Sequence, residues 1–137
     1  MRDRASEVFE VLTDVYGASP WNLEQILSDL EQENTDYFFE YALGELVAFL
    51  SIQNLVGELE ITNIAVKKNF QGQGLAKRLM DQLEGRLEAV FLEVRKSNLP
   101  AQSLYQKYGF KAVGKRKNYY RNPCEDAILM RREGRFG

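Results

Sequence analysis

The chain has 137 residues, 45% hydrophobic and 28% charged, a length and composition that suit one soluble domain with a sizeable core. Its net charge of −2 argues against a general nucleic-acid binder, and no apolar run approaches the roughly 18 residues of a membrane span, so neither partner is expected. With no histidine and one cysteine, Cys124, the chain can build no Ser-His or Cys-His nucleophile, no internal disulfide and no Cys/His zinc site.

The opening "MRDRASEVFEVL" alternates apolar and charged residues and lacks a signal-peptide layout, so a cytoplasmic protein is expected. Val8, Leu12 and Val15 then recur at helical spacing up to Gly17. A second helix follows in "SPWNLEQILSDLEQEN", with Leu23, Ile26, Leu27 and Leu30 as its apolar stripe and Ser19 or Asn22 as its cap. "DYFFEYALGELVAFLSIQ" reads as two strands joined at Leu43–Gly44–Glu45, and "GELEITNIAV" as a third. A helix over about 73–84 comes next, then a strand in "RLEAVFLEVR" and a helix in "NLPAQSLYQKYG". "FKAVGKRKNYY" is a strand, "RNP" a turn and "CEDAILMRR" the last strand, with Cys124 a small strand residue or, less simply, a reactive thiol. No repeat, linker or low-complexity stretch interrupts this order, so one mixed α/β domain over 1–137 is expected.

The third strand is irregular. Its apolar residues sit at odd positions, Leu59 and Ile61, and then at even ones, Ile64 and Val66. A strand has period two, so the switch predicts an inserted residue, a β-bulge, near Thr62–Asn63. Burial of both faces would explain the same pattern without a bulge.

"NFQGQGLAKRL" places Gly72 and Gly74 where a helix begins. Glycine is a poor helix residue, so bare backbone must serve a purpose there. Unpaired N–H groups and the positive end of the helix dipole attract anions, and glycine lets a phosphate approach. No Gly-Lys-Ser/Thr follows, and the third glycine of a dinucleotide fingerprint would fall at Lys77.

Strand "ITNIAV", then Gln71-x-x-Gly74-x-Ala76, then an amphipathic helix, resembles the acetyl-CoA motif of the GNAT acetyltransferases. "FLEVRKSNLPAQSLYQKYGFKAVGKRKNYY" and "EDAILM" resemble the branch that acetylates the N-terminal alanine of a small-subunit ribosomal protein. The likeness covers roughly residues 18–131. It implies a mixed, mostly antiparallel central sheet with a bulged strand near 62–66 and flanking helices. Family members usually open with a strand before the first helix; this chain starts at or near that helix, so a short or absent edge strand is expected.

The resemblance also implies roles. Backbone N–H groups of Gly72, Gln73, Gly74, Leu75, Ala76 and Lys77 would hold the CoA pyrophosphate, with Gln71 at the motif's first position. Ile64, Ala65 and Val66 would pair with the pantetheine arm and polarise the thioester carbonyl, a task for free donors at a bulge. Glu93 interrupts the apolar run "AVFLEV". An ion pair with Arg95 or a solvated strand end would explain it, and the family places its general base there. Tyr105 shares a helix face with Ala101, Leu104 and Tyr108; it is ordinary core by pattern and the general acid by resemblance. Asn98 is a natural N-cap and matches the family's CoA-contacting asparagine. Tyr119 and Tyr120, with Pro20 and Trp21, are candidates for the wall of the acceptor channel, and Glu125 and Asp126 for its acidic outer groove or, equally, for a surface ion pair with Arg131 or Arg132. "KRK" at 115–117 reads as a solvated edge or a contact to the ribose phosphate of CoA. No metal is implied.

Three functions fit: an acetyl-CoA-dependent acetyltransferase of a protein N-terminus, an acetyltransferase of a small amine such as a polyamine or antibiotic, and a silent CoA-binding regulatory module. The presence of both Glu93 and Tyr105 disfavours the third. An α-amino group is roughly a tenth or more neutral at pH 7, a lysine amine only about four parts in ten thousand. A single glutamate without histidine therefore suits the N-terminal acceptor, a ribosomal protein by the resemblance.

Overall fold

The computed structural model describes residues 3–121 and 123–135; Met1 and Arg2 of the opening stretch and Asn122 of the expected turn lie outside them. The elements follow the expected order: α1 (Arg4–Tyr16), α2 (Leu23–Glu31), β1 (Thr35–Ala42), β2 (Glu45–Leu55), β3 (Glu58–Val66), α3 (Leu75–Asp81), β4 (Ala89–Arg95), α4 (Leu99–Lys107), β5 (Lys111–Tyr120) and β6 (Glu125–Arg132). A 3-10 turn at Lys68–Phe70 precedes α3. Hydrogen-bonded strands run in the order β1-β2-β3-β4-β6-β5. The β1–β2, β4–β6 and β5–β6 ladders are antiparallel and β3–β4 is parallel. Two compact units divide the chain: one runs to Asn54 and takes in Ile61–Gly85, the other comprises Leu55–Glu60 and the residues from Arg86 onward.

In the first unit, local chemistry sets the element ends. Asp3 accepts the Ser6 N–H at 2.8 Å to start α1, and Gly17, at φ 79°, closes it by donating to Thr13. Asn22 and Gln25 form a reciprocal capping box on α2, an arrangement in which the cap contributes about 1 kcal/mol. Ser19 does not cap α2; its hydroxyl bridges to Trp21. The β1–β2 hairpin turns on Leu43 and Gly44, both at positive φ, as a tight two-residue turn requires. β2 is buried without interruption from Leu46 to Ile52, so both its faces are covered. Ser51, buried among these apolar residues, is satisfied by Thr62. Ala5, Val8, Val11 and Leu12 of α1 pack with Ile26, Leu46, Phe49 and Ala65 into one cluster.

The structure corrects three expectations here. Leu23 and Leu27 of the α2 stripe are about half exposed, and only Ile26 is buried. The helix expected over 73–84 is confined to Leu75–Asp81; residues 82–84 continue with i→i−3 bonds instead. On β3 the buried side chains are Leu59, Ile61 and Ala65, so Ile64 and Val66 do not inherit the buried face. The pairing with β2 is nevertheless offset. Thr62 meets Ser51 at 2.7 Å, whereas Lys67 N–H donates to Val47 C=O at 2.9 Å, which leaves one residue more on β3 than on β2 between those points. Pairing, rather than hydrophobic phase, marks the irregularity.

In the second unit β4 alternates: Val90, Leu92 and Val94 are buried, while Phe91, Glu93 and Arg95 face the other way and are half-buried. Glu93 lies opposite Leu129 of β6, and β5 runs outside β6 with nearly every residue exposed. Arg132 is buried, and its Nη2 donates to the carbonyls of Arg86 and Glu88 at 2.9 and 3.2 Å. Asn98 caps α4, and Gly109, at φ 89°, ends the segment as expected.

Candidate active site

The glycine segment of the first unit is built by its neighbours. Lys68 N–H donates to Asp14 at 2.7 Å, anchoring the 3-10 turn to α1. Lys67 pairs with Glu45, and the Gln71 side chain folds back to donate to the Val66 carbonyl at 3.0 Å. Gln71 therefore ties the loop to the end of β3. Gly72 and Gly74 stand at φ 79° and 80°, a region L side chains rarely adopt. A Cβ built on either glycine meets nothing within 4 Å, so the requirement is conformational and the space above the loop is open. The helical ladder of α3 opens with Arg78 N–H to Gly74 C=O at 3.0 Å, and the amides of Gly72, Gln73, Gly74, Leu75 and Ala76 precede it. Such a segment fits an anionic phosphate. Lys77 lies within its first helical turn. Ala65 points into the α1–α2 cluster, and Ile64 and Val66 flank it, half-buried. Trp21 packs on the same cluster, and Pro20 beside it is exposed.

The second unit holds the titratable groups. The Glu93 side chain keeps 15% of its surface, and its Oε2 is buried without a hydrogen bond. Its ion partner is Arg116 of β5, with Nε at 3.6 Å, and not Arg95, the partner that one reading of the sequence offered. Arg95 instead reaches Glu125 at 3.3 Å and the carbonyls of Arg121 and Pro123, and covers the Tyr120 ring at 4.4 Å. Arg116 in turn lies 5.4 Å from the centre of the Tyr119 ring, and the two tyrosines meet edge to face at 5.1 Å. Glu93, Arg116, Tyr119 and Tyr120 thus form a continuous chain of contacts. "KRK" is accordingly not a uniform solvated edge, because its middle residue serves Glu93.

Tyr105 is 5% exposed, its ring 5.8 Å from Phe110. The Asn98 oxygen accepts the Ala101 N–H at 3.2 Å, which uses it as a cap. Glu125 and Asp126 do not form a free acidic groove. Glu125 accepts the Ser97 N–H at 2.7 Å, and its Ser97 and Arg95 hydrogen bonds hold it below the usual carboxylate range; Asp126 accepts the Asn118 N–H at 2.9 Å. Cys124 is exposed in the turn before β6, its Sγ 3.4 Å from the Asn118 side chain, and so is no strand residue.

One residue escaped the sequence reading. Glu60 of β3 pairs in register with Phe91, two residues from Glu93 on the same face. Burial first, then the charge of Glu93, hold its carboxyl above the usual range, with Arg116 opposing. The only sequence signal is an acidic residue between Leu59 and Ile61 in "ELEIT". Among the described residues no three His, Cys, Asp or Glu side chains converge to hold a metal ion, and no helix is long and apolar enough to cross a membrane.

Residues 5–110 match the acetyltransferase (GNAT) family. The chain is 36% identical over 120 residues to the ribosomal protein bS18-alanine N-acetyltransferase of Escherichia coli strain K12, covering 82% of this chain and 80% of that protein. It is 35% identical over 123 residues to the N-alpha-acetyltransferase RimI of Mycobacterium tuberculosis, with coverage of 85% and 78%. The crystal structure of the ribosomal-protein-S18-alanine N-acetyltransferase from Escherichia coli superposes with a TM-score of 0.87 at 31% identity, over 97% of this chain and 89% of that one.

Proposed function

Because the chain belongs to the acetyltransferase (GNAT) family, we propose that it transfers the acetyl group of acetyl-CoA to a protein N-terminal amine, with the N-terminal alanine of a ribosomal protein as acceptor. Glu93 carries the reading. It is a mostly buried carboxylate whose Oε2 has no hydrogen bond and lies 3.6 Å from the Arg116 guanidinium, so a lone pair is available for a proton. Glu93 takes a proton from the ammonium form of the acceptor, and the freed nitrogen attacks the thioester carbon. The C–N bond forms as the C–S bond breaks; Tyr105 protonates the leaving thiolate and is reprotonated by the second proton that the nitrogen sheds as the amide forms, while the proton held by Glu93 passes to solvent. Gln71 braces the loop whose amides, from Gly72 to Lys77, hold the pyrophosphate, while backbone at Ile64–Val66 receives the pantetheine arm; Asn98 is a further CoA contact by the family resemblance. Pro20 and Trp21 in the first unit, and Tyr119 and Tyr120 in the second, are each candidates for contact with the acceptor.

The test is acceptor choice. Peptides starting with Ala, Ser, Leu or acetyl-Ala, each with one internal lysine, are compared with a polyamine by thiol release from acetyl-CoA. The free Ala peptide is expected to react fastest, because a larger first residue displaces the amine, and about 1 Å of misplacement can cost roughly 10²-fold in rate. Equal rates for blocked and free peptides would identify a lysine acetyltransferase; preference for the polyamine would identify a small-amine enzyme.

A further inference from the structure

We infer that Glu60 is a second acidic residue of the acceptor site, which binds the positively charged amino group while Glu93 removes its proton. The inference rests on the reading of Glu93 as the base. In the parallel β3–β4 ladder Glu60 lies opposite Phe91, and Glu93 follows on the same face of β4. Glu60 and Glu93 are therefore diagonal neighbours, one strand spacing across and two residues along, roughly 8 Å apart at the backbone and within reach of long side chains.

The charges on this face do not balance. Glu58, on the same strand as Glu60, is paired with Arg131 of β6 at 2.9 Å, and Arg131 also holds Glu133. Arg95 of β4 is committed to Glu125, and Arg116 of β5 is nearest to Glu93. Glu60 has no cation within ion-pair distance among the described residues. Two carboxylates thus share one guanidinium, and one negative charge is left over. The raised carboxyl of Glu60 reflects the same imbalance, through burial and through the charge of Glu93. An N-terminal amine, with a pKa of about 7.7–8, arrives mostly as ammonium. It supplies the missing charge. A carboxylate that only binds the cation, beside one that takes its proton, lets the ammonium be held and the base be freed in separate steps.

The experiment uses steady-state kinetics with an Ala-started peptide, and its desamino analogue, which lacks the charge, as a competitive inhibitor. Glu60→Gln keeps shape and removes charge. The peptide KM is expected to rise about tenfold, equivalent to ~1.4 kcal/mol, with a much smaller change in kcat and no change in the KM of acetyl-CoA. Inhibition by the desamino analogue should stay the same, and Glu60→Asp should recover part of the lost affinity. A peptide KM unchanged in Glu60→Gln, or an equal loss for the peptide and its uncharged analogue, overturns the inference. If Glu93→Gln keeps its kcat, the base reading fails instead, whatever Glu60→Gln shows.

Discussion

The two units offer candidate sites built from different materials. The first builds its candidate site from backbone: a loop held by Asp14 and Gln71, two glycines at positive φ, and amides ahead of a short helix. The second builds from side-chain charge: Glu93, Arg116 and Glu60 on the face of a sheet whose opposite face is apolar. A backbone site is sensitive to conformation and indifferent to most neighbouring side chains. A charge site is sensitive to a single atom. Glu93→Gln and Gly74→Asp should therefore fail in different observables.

The largest effect is expected at the charge site. Glu93→Gln should lower kcat by roughly 10²–10⁴ where proton transfer limits the rate, with acetyl-CoA binding retained. The loss should shrink at higher pH, where more acceptor amine is already neutral. Tyr105→Phe should lower kcat on the same scale, without the relief at high pH. Wild-type turnover of Glu93→Gln at pH 7 would remove Glu93 from the mechanism.

The backbone site should respond in binding. Gly74→Asp adds a carboxylate over the loop and forces an L residue to φ 80°. Acetyl-CoA affinity should fall at least tenfold, about 1.4 kcal/mol, by calorimetry. Unchanged binding in a folded Gly74→Asp protein would mean that the loop holds no phosphate.

A smaller effect separates structure from chemistry within the first unit. Asn22→Ala breaks the capping box of α2 and should cost about 1 kcal/mol of stability, read by chemical denaturation. Its kcat should match the wild type.

The smallest effect has a distinctive sign. The Glu60 carboxyl is raised in the folded protein, by burial and then by Glu93. A carboxyl raised on folding favours the folded state at low pH; that benefit is lost as pH rises through the folded value, leaving an uncompensated charge. Glu60→Gln should therefore raise the melting temperature slightly at pH 7, and the gain should vanish below the ordinary carboxylate range of about 4. A lower melting temperature for Glu60→Gln at pH 7 would show that a cation compensates the Glu60 charge in the folded protein.

The sequence by itself determined the order of elements and most of their ends. Those signals are local: Gly17 and Gly109 at positive φ, the caps Asn22 and Asn98, and the Leu43–Gly44 turn each act over a few residues. It also displayed the glycine segment and placed Glu93 as an anomaly in an apolar strand. Only the tertiary structure decided which groups share a site. Arg95 stands two residues from Glu93, yet it is drawn to Glu125 and Tyr120, and Arg116 arrives from another strand to take its place. Glu60 became visible only through the β3–β4 register, and Glu125 and Asp126 proved to be hydrogen-bonded to backbone. Strand period tells which side a residue faces but not which neighbour it meets, because register is set by long-range pairing. Electrostatic partners are chosen by distance in space, and a linear pattern does not contain that distance.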